Sequence, residues 1–141
     1  MAKKMKVLLP QPIEEEAVRV LEANNAELIR ACEPQSEVVG PLMSGVQAIV
    51  LRTGIKITRE LLAYPNDLMM ISRTGAGVDN VDIPAASERG IIVTSSIGVN
   101  TTSVAEHALA LILALFKQLF LLDGEVRKGN FAIRYKNHPQ D

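Results

Sequence analysis

Five short β-rich runs alternate with helical segments between Lys6 and Thr94, and this alternation constrains the fold more than any other feature. Lys6-Val-Leu-Leu reads as a first strand, closed by Pro10 and Pro12. Ala26 to Ala31, Ala48-Ile-Val-Leu, Leu68 to Ser72 and Ile91-Ile-Val-Thr read as the second to fifth. Between the first two, Ile13 to Asn24 carries Ile13, Ala17, Val18 and Leu21 at helical spacing. Glu14, Glu15 and Glu16 crowd its first turn, where carboxylates complement the helix dipole. Ser36 is expected to cap a helix over Glu37 to Met43, and Thr58 one over Arg59 to Ala63 that Pro65 stops. Asp82 is expected to cap another, with Pro84 in its first turn and Gly90 as its stop. Strands separated by helices predict an open parallel sheet covered on both faces. Right-handed crossovers restrict it to the doubly wound α/β class. The continuous apolar character of Ala48 to Leu51 agrees with a strand buried on both sides. No internal repeat or low-complexity tract interrupts the pattern, and the domain ends near Ser96.

The rest of the chain has a different character. Asn100 to about Lys128 reads as one long helix with Gly129 as its stop. Glu106 and His107 recur as Lys117 and Gln118, eleven residues on, a spacing that returns to within roughly 20° of the same direction. The polar groups thus form a narrow stripe, while Leu109, Leu111, Ile112, Leu115, Phe116 and Phe120 cover most of the circumference. Such a helix requires burial on more than one side, as if built to lie between two bodies.

Composition narrows the function classes. Fifteen basic against sixteen acidic residues leave no basic stripe for nucleic acid or an anionic membrane. The single Cys32 excludes an intrachain disulfide framework and a CxxC site, and its place at the end of the second strand predicts a buried thiol. Val104 to Leu122 is apolar but contains Glu106, His107, Lys117 and Gln118, too polar for a membrane span. Met1 to Lys6 is basic and leads straight into a strand rather than a signal core, so a cytoplasmic protein is expected.

The segment richest in chemistry is Arg73-Thr-Gly-Ala-Gly-Val-Asp-Asn-Val-Asp82. It follows the fourth strand, at the carboxyl end of the sheet where open α/β folds bind ligands. Gly75 and Gly77 allow unusual backbone angles and close ligand approach to main-chain N–H groups. A concave run of amides suits a carboxylate or phosphate, and a purely structural turn is the competing reading. A dinucleotide fingerprint does not fit: the pattern is GxGxxN, after the wrong strand, and Ile97 stands where an acid is required. Arg52-Thr-Gly occupies the equivalent loop after the third strand. Arg52 there either pairs with an anionic substrate group through its planar fork or is merely solvated. His107 reads as structural and His138 as part of a polar tail. No nucleophile–base pair, metal cluster or P-loop assembles.

Ser72-Arg-Thr-Gly-Ala-Gly-Val-Asp-Asn-Val-Asp, Gly90-Ile-Ile-Val and Gly98-Val-Asn-Thr-Thr-Ser-Val-Ala-Glu-His107 together resemble the D-2-hydroxyacid dehydrogenases, in particular their phosphoglycerate dehydrogenase branch. The resemblance runs through the whole chain in order. It implies a flavodoxin-like substrate domain over residues 1–98, an interdomain helix over 99–129, and over 130–141 the start of a linkage to an NAD-binding domain. It implies that the amides of Gly75, Ala76 and Gly77 bind the substrate carboxylate, and that Arg52, with Thr53 nearby, holds its distal anionic group. Ala76 would also touch the NAD cofactor, Val104 would lie near its nicotinamide, and Asn100 and Ser103 would organise the helix start.

In the family, the GxGxxG fingerprint, the acid on the cofactor ribose and the catalytic Arg, Glu and His all follow the position where this sequence stops. Neither His107 nor His138 matches the catalytic one. The resemblance therefore implies half of a hydride-transfer site, inactive alone, for 3-phosphoglycerate first, with glycerate, glyoxylate and other 2-keto acids open. The apolar helix predicts a homodimer. The alternative is a stand-alone, non-catalytic module for carboxylate binding or assembly. A phosphoacceptor receiver domain is excluded, because Leu8-Leu-Pro-Gln11 offers no acidic pair after the first strand.

Overall fold

A computed structural model describes residues 4–133, and the chain divides into two compact units, Met1–Val99 and Asn100–Asp141. The first unit is a five-stranded, wholly parallel sheet in the order β2-β1-β3-β4-β5. Its strands are β1 (Met5–Leu9), β2 (Ala26–Arg30), β3 (Ala48–Leu51), β4 (Met70–Arg73) and β5 (Ile92–Ser95), and its helices α1 (Glu15–Ala23), α2 (Ser36–Leu42), α3 (Arg59–Leu62) and α4 (Ile83–Glu88). The order reverses between β1 and β3, as in flavodoxin-like sheets, so the doubly wound expectation holds.

Register sets the core. Leu8, Ile49, Ile71 and Val93 lie in one row across four strands. The first three are fully buried, and they join Val39 and Met43 of the α2 region, Leu61 and Leu62 of α3 and Ala85 and Ala86 of α4 in one cluster. Each large aliphatic side chain in it contributes about 1.5–3 kcal/mol. The alternate residues of the same strands face the other way. There Met70 and Ile92 stay exposed, and α1 contributes no fully buried residue. The expected cover on both faces is thus complete on one face only.

Local signals account for several helix ends. Thr58 Oγ1 accepts from Leu61 N at 3.3 Å and Asp82 Oδ1 from Ala85 N at 2.9 Å, so both expected caps form. Ser36 is instead the first helical residue, behind an extended Gln35 whose side chain makes no capping bond. Arg59 pairs with both carboxylate oxygens of Glu88 and Arg89 Nη1 donates to Leu62 O at 2.6 Å, stapling α3 to α4. Cys32 is exposed, contrary to the expected buried thiol. It lies beyond the end of β2, an edge strand whose Leu28 and Ile29 are only half-buried.

The second unit also departs from expectation. The apolar stretch forms two helices, α5 (Thr101–Phe116) and α6 (Leu119–Arg127), bent by 58° at Lys117 and Gln118. Gln118 adopts φ 49°, a left-handed conformation that a right-handed helix cannot continue. Lys117 N still donates to Leu113 O, and Leu122 N restarts the ladder from Gln118 O. Gly129 does end α6, with φ 80° and its N–H on Val126 O at 2.9 Å. Neither helix buries a residue completely. No single helix among the described residues is long and apolar enough to cross a membrane; α5 and α6 reach that length and apolarity only together, as a bent pair.

Candidate functional site at the carboxyl end of the sheet

Polar groups converge where β1, β3, β4 and β5 end. Thr74 N continues the β3–β4 ladder onto Leu51 O at 3.0 Å, and then the chain leaves the sheet. The N–H groups of Gly75, Ala76 and Gly77 donate to no acceptor among the described residues. Three successive unpaired donors on a partly exposed loop can receive an anion. The loop is held from the β5 side. Ser96 N donates to Gly75 O at 3.1 Å, and Ser96 Oγ to Arg73 O at 3.3 Å.

The glycines do not adopt the unusual backbone angles expected of them. Neither Gly75 nor Gly77 has positive φ. A Cβ on Gly75 would run into the Arg73 guanidinium, and one on Gly77 would meet Asp79 Oδ1 at 2.8 Å. Neighbouring side chains thus crowd both positions, and neither is a left-handed turn.

Arg52 follows β3 in the neighbouring loop. Its Nη1 donates to Pro12 O at 3.1 Å and lies 3.6 Å from Glu14 Oε1, with about half of its side chain exposed. Thr53 is exposed beside it. Gln11, beyond β1, accepts from Gly54 N at 2.8 Å and packs so closely that a Cβ at Gly54 would strike its amide. Asn80 joins this loop to the glycine loop. Its Nδ2 donates to Arg52 O at 2.8 Å and Ile55 O at 3.0 Å, while its Oδ1 accepts from Arg73 Nε at 3.0 Å. Arg52, Thr53, Gly75, Ala76 and Gly77 are therefore gathered at one sheet edge. Val104 belongs to the other unit, exposed on α5 with Ser103 and His107, and Asn100 stands exposed just before that helix. His138 lies outside the described residues.

The sequence motifs assign no role of their own to Gln11, Arg73 or Asn80. Arg73 had a usable signal, since it stands two residues after buried Ile71 on the same strand face. Among the described residues no cluster of His, Cys, Asp and Glu could hold a metal. A cavity of about 140 Å³ lies beside Gln11 and Pro12, lined also by Leu9, Ile13, Val18, Arg30 and Ala31. It is largely apolar, and the open donors belong to the glycine loop instead.

Residues 7–132 match the catalytic domain of the D-isomer specific 2-hydroxyacid dehydrogenases. This chain belongs to that family. It is 38% identical over 128 residues to the D-3-phosphoglycerate dehydrogenase of Archaeoglobus fulgidus, covering 90% of this chain and 24% of that protein. The chain thus spans about a quarter of that relative's length. Its fold is similar to a Pyrococcus horikoshii protein of known structure, with TM-score 0.80, 28% identity, and coverage of 98% of this chain and 42% of that one. It is also similar to the D-lactate dehydrogenase of Aquifex aeolicus, solved with NAD and lactic acid, with TM-score 0.78, 29% identity, and coverage of 89% and 38%.

Proposed function

We propose that this chain supplies the substrate half of an NAD-dependent oxidoreductase acting on a D-2-hydroxy acid, with 3-phosphoglycerate as its first candidate substrate. The unpaired N–H groups of Gly75, Ala76 and Gly77 carry this reading, because a carboxylate is the group such a row of donors accommodates. Arg52, Thr53 and the loop lie at one edge, so a molecule bearing a carboxylate and a distal phosphate would find a donor set for each end. Arg52 must exchange Glu14 for the incoming anion. Family membership and the similarity to phosphoglycerate dehydrogenases support the substrate class.

In this assignment residues 1–98 bind substrate, 99–129 connect, and 130–141 begin a linkage to an NAD-binding domain. NAD would supply the hydride acceptor, with Ala76 and Val104 near it. The residues of this chain hold and orient the acid rather than take its proton, so the 141-residue chain alone should not turn over. Self-association through α5 and a cytoplasmic location complete the proposal.

Titration of the ¹⁵N-labelled chain with D-3-phosphoglycerate tests the substrate reading. Saturable shifts at the Gly75, Ala76 and Gly77 amides, reduced in Arg52→Ala, are expected. Shifts elsewhere only, or none, would remove the carboxylate assignment and leave an assembly module as the better reading.

A further inference from the structure

Arg73 is the one described cation in the buried core. Only 8% of it is exposed, it lies on the packed sheet face, and its single side-chain bond is Nε to Asn80 Oδ1 at 3.0 Å. Asn80 is neutral, and among the described residues no carboxylate comes within ion-pair distance of Arg73. A buried guanidinium without a counter-charge is costly, and native proteins ordinarily pair such groups. The position of this one is specific. Its Nη1 lies against Gly75 on the side where a Cβ would project, at the root of the loop with three open N–H donors. Asp79, the carboxylate next to Gly77, lies on an exposed part of the chain and does not reach Arg73.

We propose that Arg73 is a positioning residue for anion binding: its charge, held beneath the Gly75–Gly77 loop by Asn80, completes the site and receives its counter-charge only when an anion occupies the loop. This rests on the reading of that loop as a carboxylate site. Two consequences follow from the charge rather than from packing. The loop should discriminate between a carboxylate and its neutral amide. The Arg73 side chain should also sense occupancy, although the loop backbone separates it from the ligand.

D-Lactate and neutral D-lactamide, each titrated into the ¹⁵N-labelled 141-residue chain, provide the test, with Arg73→Met and Arg73→Lys beside the natural protein. Arg73→Met should weaken D-lactate binding about tenfold or more, the scale of a lost charged interaction, and leave D-lactamide unchanged. Arg73→Lys should restore most of the D-lactate affinity. Equal weakening of both ligands would reduce Arg73 to a structural role, and unchanged D-lactate binding would remove it altogether. If Arg73→Met does not fold, the Arg73 Nε–H signal of the natural chain decides. It should shift with D-lactate at the same midpoint as the Gly75 amide and ignore D-lactamide; an unmoved signal overturns the proposal. If D-lactate leaves the Gly75–Gly77 amides of the natural chain unmoved, the carboxylate reading itself has failed, an outcome distinct from an amide response that is indifferent to Arg73.

Discussion

Gly75 and Gly77 look equivalent in the sequence, yet their surroundings separate them. The atom a Cβ would meet at Gly75 belongs to a buried arginine anchored to Asn80, whereas at Gly77 it belongs to an exposed aspartate. Gly75→Ala must displace Arg73 and strain the Arg73–Asn80 bond, at a cost of about 1–3 kcal/mol. Gly77→Ala needs only a rotation of Asp79 in solvent and should stay within about 0.5 kcal/mol of the natural protein. Urea unfolding of the two variants measures the contrast. A second residue-scale prediction concerns pH. The hydrogen bond and charge of Arg59 hold the exposed Glu88 carboxyl below its ordinary value. A depressed folded-state pKa stabilises above the unfolded value, about 4.3 for Glu, and that contribution disappears as pH falls through the folded value. The stability difference between the natural chain and Arg59→Met should therefore be present at neutral pH and vanish in acid. A difference independent of pH would show that Arg59 acts by packing alone.

At the scale of elements, the turns on either side of α4 set its length. Asp82 satisfies an N–H that would otherwise lack a partner, and Gly90 turns the chain into β5 with φ 68° and open space where a Cβ would go. Asp82→Ala should cost about 1 kcal/mol through loss of the cap. Gly90→Ala should cost a similar amount, about 1–2 kcal/mol, through backbone strain alone, since nothing obstructs the methyl group. Thermal unfolding should show both losses. The helix starts at Thr58 and Asp82 were legible because a capping side chain works within three residues of itself. The break at Gln118 was not, because glutamine has no particular preference for the left-handed conformation and the apolar pattern runs through it unaltered.

For the whole molecule, the exposed apolar surface of α5 and α6 dominates. Phe116, Leu115 and Phe120 are each about three-quarters or more exposed, and Leu109, Leu111 and Leu119 about half. Contiguous apolar surface of this kind marks an interaction site. The 141-residue chain is expected to self-associate in sedimentation velocity, and Leu115→Glu with Phe116→Glu should shift it toward monomer. A natural chain that stays monomeric at every concentration would count against association through these helices.

The sequence by itself determined the α/β class, the parallel strand pattern, most helix boundaries and the loops that meet at the sheet edge, because periodicity, caps and turn residues act over a few positions. Its motifs also pointed to the family. Only the tertiary structure decided the rest. It left one sheet face partly open, put Cys32 in solvent beyond an edge strand, and bent the apolar helix in two. It also set side chains close against the loop glycines and brought Arg73 beneath them, with Asn80 seven residues along the chain. Burial and proximity depend on which strands become neighbours, and that is settled by packing across the sheet rather than by any one stretch of chain.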